Sequence, residues 1–428
     1  MGLFVELSLV GKPVLIVGGG RQALRKARRL SQEGACITAV APCFIEGFEA
    51  VCFRMFQQGY ETTLIDGMFL VVAATDDRAL NHRIVREANE RGILSLSIHQ
   101  DENAVLHSVG SREFGGITAA VSTHGAYPAL DSILLERWET CSGLFLGKLP
   151  ALKMLRERIA SSPIGSQEKR ELLRELPAWE EELLDSLVRA VEQETLLVAV
   201  WHGTASRESV REQIFPFSRE IEAQFPSFPV CEAFLSGKIQ GKLLARGVLI
   251  PLLDKVLRLA QVLGISRILI QPVLFAQGVY YQQILACVKK FADLDITIGE
   301  PLVIGDGDAQ ELLSSLREGF SGDEQTLFVC HGFEPGLHRM LCKPLRRRET
   351  LLFVKERLPV LEPNLPVRVV PLFFLVGFHT GRDLFDGEDS VCACLARQGY
   401  TVLQERRGLM ERDSIHGLLC KKIEKVFL

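Results

Sequence analysis

The sequence predicts an α/β protein with a doubly wound parallel sheet in its first part and two similar α/β halves in its second part. Two observations predict this class. Short apolar runs alternate with helical patterns along the first 100 or so residues, which is typical of βαβ units. In the second part, apolar strand-like segments ending in the same residues occur twice, which indicates an internal repeat.

Length and composition exclude several classes of protein. The chain has 428 residues, 47% hydrophobic and 24% charged, which suits a globular protein of two or three domains. A net charge of −4 argues against a nucleic-acid partner, and no apolar run reaches the ~18 residues that span a bilayer. With no evident export signal and eleven scattered cysteines, we expect reduced thiols in a cytoplasmic protein.

The first element is a strand, a glycine turn and a helix. An apolar run from Val14 to Val17 ends in three glycines, and a helical pattern covers Ala23 to Leu30. Glycines at this join let a pyrophosphate approach the backbone, and the helix directs its N-terminal amides at the anion. Alone the motif is weak, because many strand-to-helix turns carry glycines and bind nothing. The candidate nucleotide contacts in this stretch are Gly18, Gly19, Gly20, Arg21, Gln22 and Ala23.

Two further strands bring polar or small residues to the same edge of the sheet. The second strand, 35–42, ends in Ala41 and a proline, so no acid is present to hold ribose hydroxyls, and NAD and NADP are not distinguished. The third strand, within 68–77, is an unbroken apolar run followed by Thr75 and Asp76. Ala41, Thr75 and Asp76 are therefore candidate nucleotide contacts. Asp76 and the next aspartate could instead only cap the following helix.

Five motifs in order resemble precorrin-2 dehydrogenases, which form the first part of siroheme synthases. The motifs are Phe4-Val-Glu-Leu, Val17-Gly-Gly-Gly, Ala23-x-Arg-Lys26, Ala73-Ala-Thr-Asp-Asp77 and Val121-Ser-Thr-His-Gly-x-x-Pro-Ala129. The resemblance implies NAD-dependent oxidation of precorrin-2 to sirohydrochlorin in a homodimer. It also implies a Rossmann-like domain over 1–113 and a dimerisation and helical segment over 114–190, of which the charged stretch after 149 could equally be an interdomain spacer.

The resemblance also assigns candidate residues to the oxidation. The family carries an aspartate, thought to be the general base, where this chain has His99, and Asp101 lies two residues on. A histidine is a plausible base at neutral pH, so either residue is a candidate; alternatively, the dehydrogenase activity is weakened or lost. Thr123 and His124 are candidate substrate-binding residues.

The second part repeats two strand-like segments. Residues 196–204 resemble 326–333, and 268–278 resemble 368–377. In this register His202 mirrors His331 and Tyr280 mirrors His379, and all four side chains follow strands. Because α/β sheets gather their sites at the carboxyl ends of strands, and imidazole suits first-row transition ions, the pattern indicates a metal site between two halves. Structural histidines are the alternative.

The same part resembles the anaerobic cobalt chelatase (CbiK-type) family. The residues that carry the resemblance are Phe328-Val-Cys-His-Gly332, Pro371-Leu-Phe-Phe-Leu-Val-Gly-Phe-His379, Asp383, Asp389-Ser390 and Ala233-Phe-Leu-Ser-Gly237. The family's catalytic histidines correspond to His331 and His379. Tyr280 stands where the family has a metal-site glutamate, and His202 where it usually has phenylalanine. We hypothesise a three-histidine metal site, His202, His331 and His379, with Tyr280 or Tyr281 at its edge.

Together the resemblances imply a bifunctional enzyme that oxidises precorrin-2 and then inserts a divalent metal into sirohydrochlorin. The chelatase domain is expected over 191–428, with halves at about 191–320 and 321–428. Arg382, which follows His379, is a candidate partner for the tetrapyrrole carboxylates. Ferrous iron, giving siroheme, is favoured over cobalt, which would feed cobalamin synthesis. The alternatives are a chelatase with an inactive NAD-binding dimerisation scaffold, and a non-catalytic tetrapyrrole or metal carrier.

Overall fold

The structure is a computed structural model that describes residues 3–99, 101–123, 127–330, 335–354, 356–375 and 381–427. The chain divides into two compact units, Met1–Leu146 and Gly147–Leu428. The division lies inside the stretch 114–190, for which one dimerisation and helical segment was expected, so that this stretch is shared between the two units.

The first unit contains the predicted doubly wound sheet. Among the described residues its strand order is β3-β2-β1-β4-β5 and all neighbouring strands are parallel. The strands are β1 (Pro13–Val17), β2 (Cys36–Val40), β3 (Arg54–Phe56), β4 (Leu70–Ala73) and β5 (Leu94–Ser97). The helices are α1 (Arg21–Gln32) and α2 (Arg78–Glu90), with a 3-10 turn at Thr62–Ile65. Successive residues of β1 enter separate cores on the two faces, Val14 and Ile16 in one, Leu15 and Val17 in the other, as an unbroken apolar run predicts.

A hairpin and a long helix complete the first unit. Strands β6 (Gly110–Phe114) and β7 (Ile117–Val121) pair antiparallel, and α3 (Pro128–Leu146) packs against them. The buried core here is small, with Phe114, Ala119 and Leu135 at its centre. Such a small core leaves much of α3 uncovered.

The second unit begins with helices that belong to its core. They are α4 (Leu149–Ser161), α5 (Ser166–Glu175) and α6 (Glu181–Gln193), with a 3-10 turn at Leu176–Ala178. Leu155, Ile159 and Leu187 are completely buried in the cluster that also contains the following sheet. The charged stretch that could have been a spacer is therefore a packed helical part of this unit.

Two parallel sheets follow. The first contains β8 (Thr195–Trp201), β9 (Val230–Phe234), β10 (Arg267–Val273) and β11 (Asp295–Ile298). The second contains β12 (Gln325–Cys330), β13 (Glu349–Phe353), β14 (Val367–Pro371) and β15 (Val402–Gln404). The helices are α7 (Arg207–Ser209), α8 (Phe215–Gln224), α9 (Gly237–Leu244), α10 (Leu253–Leu263), α11 (Val279–Val288), α12 (Asp306–Leu316), α13 (Pro335–Cys342), α14 (Val391–Arg397) and α15 (Asp413–Phe427). Val210–Ile214 and Gly381–Asp386 form π-helical turns, and Leu409–Glu411 forms a 3-10 turn.

The two sheets have the same topology. Matching β8, β9, β10 and β11 with β12, β13, β14 and β15 gives the same order, β9-β8-β10-β11 and β13-β12-β14-β15, across the described residues. The strand register agrees as well, because Val200 pairs with Pro272 in the first sheet and Val329 pairs with Pro371 in the second. These are the residue matches that the sequence repeat predicted, so the two similar α/β halves are confirmed.

No helix in the described part of the chain is long and apolar enough to cross a membrane. All eleven cysteines are free.

Candidate functional site

The glycine turn after β1 is shaped by close backbone contacts. Gly18 has φ of +136°, and a Cβ there would overlap the carbonyl of Ala74 at the end of β4. A Cβ at Gly19 would overlap the carbonyl of Cys43, beyond the end of β2. Side chains at these two positions are therefore excluded by the neighbouring strands, whether or not a ligand binds.

Gly20 is the position that faces open space. A Cβ built on Gly20 would meet no neighbouring atom within 4 Å. Gly20 is the N-cap residue of α1, and because glycine has no side chain, the first amides of the helix receive no capping hydrogen bond from it. The first helical backbone bond runs from the amide of Leu24 to the carbonyl of Gly20, so the amides of Arg21, Gln22 and Ala23 have no partner within the helix. This open helix N-terminus fits the pyrophosphate of a dinucleotide.

The end of β2 carries no acid. Ala41 is buried and Pro42 follows it, so the carboxylate that commonly binds ribose hydroxyls in NAD enzymes is absent from this place. Ala41 lies beside the glycine turn, because its Cβ is 3.0 Å from a Cβ built on Gly19.

The turn after β4 is held by a residue that the sequence analysis did not single out. The side chain of the buried Asn81 makes three hydrogen bonds with Thr75. Its Oδ1 accepts from the Thr75 backbone amide at 3.2 Å and from the Thr75 hydroxyl at 2.8 Å. Its Nδ2 donates to the Thr75 carbonyl at 2.8 Å. Thr75 is therefore occupied within the turn. The carboxylate of Asp77 caps α2 by accepting hydrogen bonds from the backbone amides of Ala79 and Leu80. Asp76 is exposed and is not the cap of this helix. The signal for Asn81 was an asparagine in the first turn of a helix, where this side chain often bonds nearby backbone.

The two candidate bases near the end of β5 have different surroundings. The carboxylate of the buried Asp101 lies 2.7 Å from Nδ1 of His82 on α2 and accepts from the amide of Asn103 at 3.0 Å. Oδ1 of Asp101 accepts the hydrogen bond from Asn103, whereas Oδ2, the oxygen near His82, makes no hydrogen bond in the described structure. His99 is half-buried, and its Nε2 is buried without a hydrogen-bond partner among the residues described. His82 was not predicted from the sequence.

The predicted substrate residues Thr123 and His124 precede α3. Thr123 accepts from the amide of Tyr127 through its hydroxyl at 3.0 Å, and its own amide donates to the buried Asp131 at 3.0 Å. It therefore orders the start of α3. His124 lies outside the described residues.

In the second unit, His202 and Tyr280 meet. His202 directly follows β8, and Tyr280 lies in the first turn of α11 after β10. Their ring centroids are 4.1 Å apart with an angle of 40° between the planes. The two strands are hydrogen-bonded neighbours, so their carboxyl ends bring together the two side chains predicted to share a site.

The equivalent strand ends of the two halves approach each other. Phe275, after β10, and Phe374, after β14, are matched by the repeat, and their rings make an edge-to-face contact with centroids 6.5 Å apart. The backbone repeats as well. The amide of Val303 donates to the Phe275 carbonyl at 2.9 Å, and that of Met410 donates to the Phe374 carbonyl at 3.0 Å. The segments that directly follow the two matched strands therefore share one contact.

His331 and His379 lie outside the described residues. In the sequence, His331 directly follows Cys330, the buried last residue of β12. Burial raises the pKa of the Cys330 thiol to about 12, so this cysteine stays protonated. Within the described ranges, no group of three or more His, Cys, Asp or Glu side chains could hold a metal ion, and the predicted three-histidine set falls largely beyond those ranges.

A carboxylate lies near Tyr281, but it is committed elsewhere. Burial, and then the charge of Glu300, raise the pKa of the Tyr281 hydroxyl. Glu300 is 3.3 Å from Nζ of the buried Lys422, which also contacts Asp308 at 2.8 Å. We therefore see no described carboxylate that takes the place of the glutamate missing at Tyr280. The other predicted substrate residue, Arg382, is exposed on the π-helical turn.

Two family models match separate segments of the chain. Residues 5–107 match the model described as "Putative NAD(P)-binding", and residues 194–342 match the model described as cobalt chelatase (CbiK). These are the segments that carry the glycine turn and the His202 strand end.

Known proteins resemble parts of the chain. Siroheme synthase of Photorhabdus laumondii is 33% identical over 39% of this chain and 36% of its own length. Siroheme synthase of Ectopseudomonas mendocina is 35% identical over 35% of this chain and 33% of its own. The chain thus spans about a third of the length of these curated relatives. A solved structure, "SirC, precorrin-2 dehydrogenase", aligns with a TM-score of 0.34 and 27% identity, covering 41% of this chain and 88% of that chain.

The matches confirm the predicted joining of two resemblances in one chain. The chain joins a segment that matches an NAD(P)-binding family model, within a protein similar to siroheme synthases, to a segment that matches the CbiK-type cobalt chelatases.

Proposed function

We propose that this chain is a bifunctional enzyme that oxidises precorrin-2 to sirohydrochlorin and then inserts a divalent metal into the product. The observation that carries the proposal is the presence, in one chain, of an open helix N-terminus after a glycine turn and a repeated α/β unit with His202 at a strand end. The order of the two segments along the chain matches the order of the two reactions.

In the oxidation, the first unit would hold NAD, the cofactor that the resemblance implies, and a base would remove a proton from the tetrapyrrole. Bound NAD accepts the hydride. The amides of Arg21, Gln22 and Ala23 are placed to bind its pyrophosphate, and Asn81 fixes the turn at Thr75 beside them.

We favour His99 over Asp101 as the base. A base needs an available lone pair, and His99 stands where the resemblance places the family's aspartate. Its Nε2 is buried with no hydrogen-bond partner in the described structure, and the same holds for Oδ2 of Asp101, which lies at ion-pair distance from His82. Asp101 is therefore kept as the alternative base. With His99 as the base, Asp101 and His82 would hold the loop that carries it.

In the chelation, neutral imidazoles would accept the two pyrrole protons as the metal enters the ring. The resemblance assigns this role to His331 and His379, and we propose His202 as the third ligand that positions the ion before transfer. Tyr280 contacts the His202 ring. Because a neutral phenol is a poorer metal ligand than a carboxylate, we propose a site that relies on nitrogen ligands. Arg382 would bind a tetrapyrrole carboxylate.

Ferrous iron is the metal we favour, since fusions with a dehydrogenase usually serve siroheme formation; cobalt is the alternative. Nitrogen-rich sites bind both ions.

One anaerobic experiment tests the proposal against its alternatives. Purified protein is incubated with precorrin-2, NAD and either Fe²⁺ or Co²⁺, and absorbance follows NADH formation and metal insertion separately. Both signals are expected. Metal insertion into supplied sirohydrochlorin without NADH formation would indicate a chelatase with an inactive scaffold. Stoichiometric binding with neither signal would indicate a carrier.

Single variants separate the two sites. His331→Ala and His379→Ala are expected to abolish metal insertion and leave NADH formation intact, while His99→Ala should do the reverse. Asp101→Asn serves as the matched comparison for His99, because it should weaken the His82 contact without removing the proposed base. Metal insertion is measured in each variant with supplied sirohydrochlorin, so that it does not depend on the oxidation. Under that condition, loss of both activities in any one of the three alanine variants would contradict separate sites.

We also propose that the protein is a homodimer formed through α3. An exposed apolar stripe runs along this helix, and Trp138 is 55% exposed. The stripe consists of Tyr127, Leu130, Ile133, Leu134 and Trp138. The buried core beneath α3 is small, and contiguous exposed apolar side chains of this kind mark protein–protein contact sites. A second copy of the chain would bury the stripe. Trp138→Asp should convert a dimer to a monomer in light scattering; a monomeric parent protein would contradict the proposal.

The free cysteines fit a reducing compartment, and we propose that the enzyme works in the cytoplasm.

A further inference from the structure

His82 of α2 joins a buried carboxylate to the solvent. Its side chain is 57% exposed, and its Nδ1 lies 2.7 Å from Oδ2 of Asp101, whose side chain is 2% exposed. Within the part of the chain that the structure describes, no other cationic side chain lies within ion-pair distance of this carboxylate. A carboxylate buried this deeply is costly without a partner, so His82 is the group that compensates it.

The contact between His82 and Asp101 lies at the edge of the sheet where the oxidation is proposed. The amide of Ile98, just after β5, donates to the carbonyl of Ala73, the last residue of β4, at 3.0 Å. On α2, Asn81 holds the turn after β4, and the next residue, His82, contacts the loop after β5. Adjacent residues of one helix thus reach the nucleotide turn and the loop that carries the candidate bases.

The loop after β5 contains two buried polar atoms that have no hydrogen-bond partner among the residues described. They are Nε2 of His99 and Oδ2 of Asp101, and they belong to the two candidate bases. Because neither atom is exposed to water, a proton taken up here has to leave through another group. Oδ2 is the oxygen that lies beside His82, and imidazole is the side chain that exchanges protons with water near neutral pH.

The distance between the two groups suits a proton transfer. A separation of 2.7 Å is within the reach of roughly 2.6–3.2 Å that proton transfer between polar atoms requires. The two groups are not aligned as a hydrogen bond in this structure, and such contacts commonly tighten when the substrate binds. Because more than half of the His82 side chain is exposed, its ring can exchange protons with water while it faces Asp101.

We infer that His82 is a proton relay, which carries the proton released in the oxidation from the buried loop to water. The hydride goes to NAD⁺, and the proton goes to the base, which is Asp101 or His99 two residues before it. The proton reaches Oδ2 of Asp101, where the O–H bond breaks as an N–H bond forms at Nδ1 of His82. The ring then gives a proton from its Nε2 to water, and the base is left unprotonated. The inference rests on the proposed oxidation; His82 acts through Asp101 and does not contact the tetrapyrrole.

Chemical rescue of the full-length protein tests the inference. NADH formation from precorrin-2 and NAD⁺ is measured without metal, in dilute buffer at neutral pH. His82→Ala and His82→Gln should each lower kcat at least about tenfold. Added imidazole should restore the rate, and sodium chloride at the same ionic strength should not. Glutamine can still donate a hydrogen bond to Asp101 but cannot pass a proton on, so this variant separates a relay from a structural support. Arg86→Ala is the matched control, because this exposed arginine lies one turn further along α2 and forms an ion pair with Glu90 of the same helix.

Two further measurements identify a purely structural role. The thermal midpoint and the calorimetric affinity for NAD⁺ should be the same in the His82 variants as in the parent protein. A full rate for His82→Gln in dilute buffer would overturn the inference, and so would a loss of rate that imidazole does not restore. If the parent protein forms NADH and the His82 variants match it, only this inference fails; if the parent protein forms none, the proposed oxidation fails with it.

Discussion

Replacing Glu232 with glutamine should stabilise the second unit, and by more at alkaline than at acidic pH. Glu232 lies on β9, opposite Ala199 of β8, and is 1% exposed. Its Oε1 has no hydrogen-bond partner in the described structure. Burial, aided by the charge of Glu222 and opposed by a hydrogen bond from Ser218, raises the pKa of its carboxyl to about 8.

The magnitude follows from the difference between the folded and unfolded pKa values. The unfolded carboxyl titrates near 4.5 and the folded one at about 8, so the carboxyl is protonated in the folded protein at neutral pH. Its contribution to stability is complete below 4.5 and is lost as the pH rises to about 8. At about 1.4 kcal/mol per pKa unit, the loss is about 3 kcal/mol at about pH 7 and about 5 kcal/mol at the alkaline limit.

The assay is thermal unfolding of the parent protein and Glu232→Gln at about pH 5.5, about pH 7 and about pH 8.5. Glutamine keeps the shape and has no charge to bury, so its advantage should grow with pH to roughly 5–10 °C in the midpoint of the second unit. Glu212→Gln, at an exposed position, is the control and should show no such trend. An advantage for Glu232→Gln that is the same at all three pH values would refute the reasoning.

Three further predictions concern the sites. Asn81→Ala removes three hydrogen bonds to Thr75 and should cost about 2–4 kcal/mol of stability and weaken dinucleotide binding, measured by calorimetry; unchanged binding would separate this turn from the site. Phe275→Leu and Phe374→Leu should show a coupling of about 0.5–1.5 kcal/mol in a double-mutant cycle of unfolding, and additive effects would mean that the two halves do not meet there. Tyr280→Glu places beside His202 the carboxylate that the chelatase family has there, and it should tighten Co²⁺ binding at least about tenfold. Binding is measured from the absorbance of the bound cobalt. An unchanged Co²⁺ affinity would place Tyr280 outside the metal site.

The sequence by itself determined the class of the fold and the repeat. Apolar runs and glycine positions are local, so the strand from Val14 to Val17 and the turn at Gly18 follow from them. The repeat also gave the correct register, because matching His202 with His331 requires Val200 and Val329 to face equivalent prolines, as they do.

Only the tertiary structure decided which side chains meet. Nothing local indicates that His82 lies against Asp101, that Phe275 contacts Phe374 across the repeat, or that Glu232 is buried with no ion pair to any described residue. These contacts join residues that are far apart in the chain, and packing brings them together. Periodicity predicts which face of an element is buried, but the neighbour on that face depends on how the elements pack.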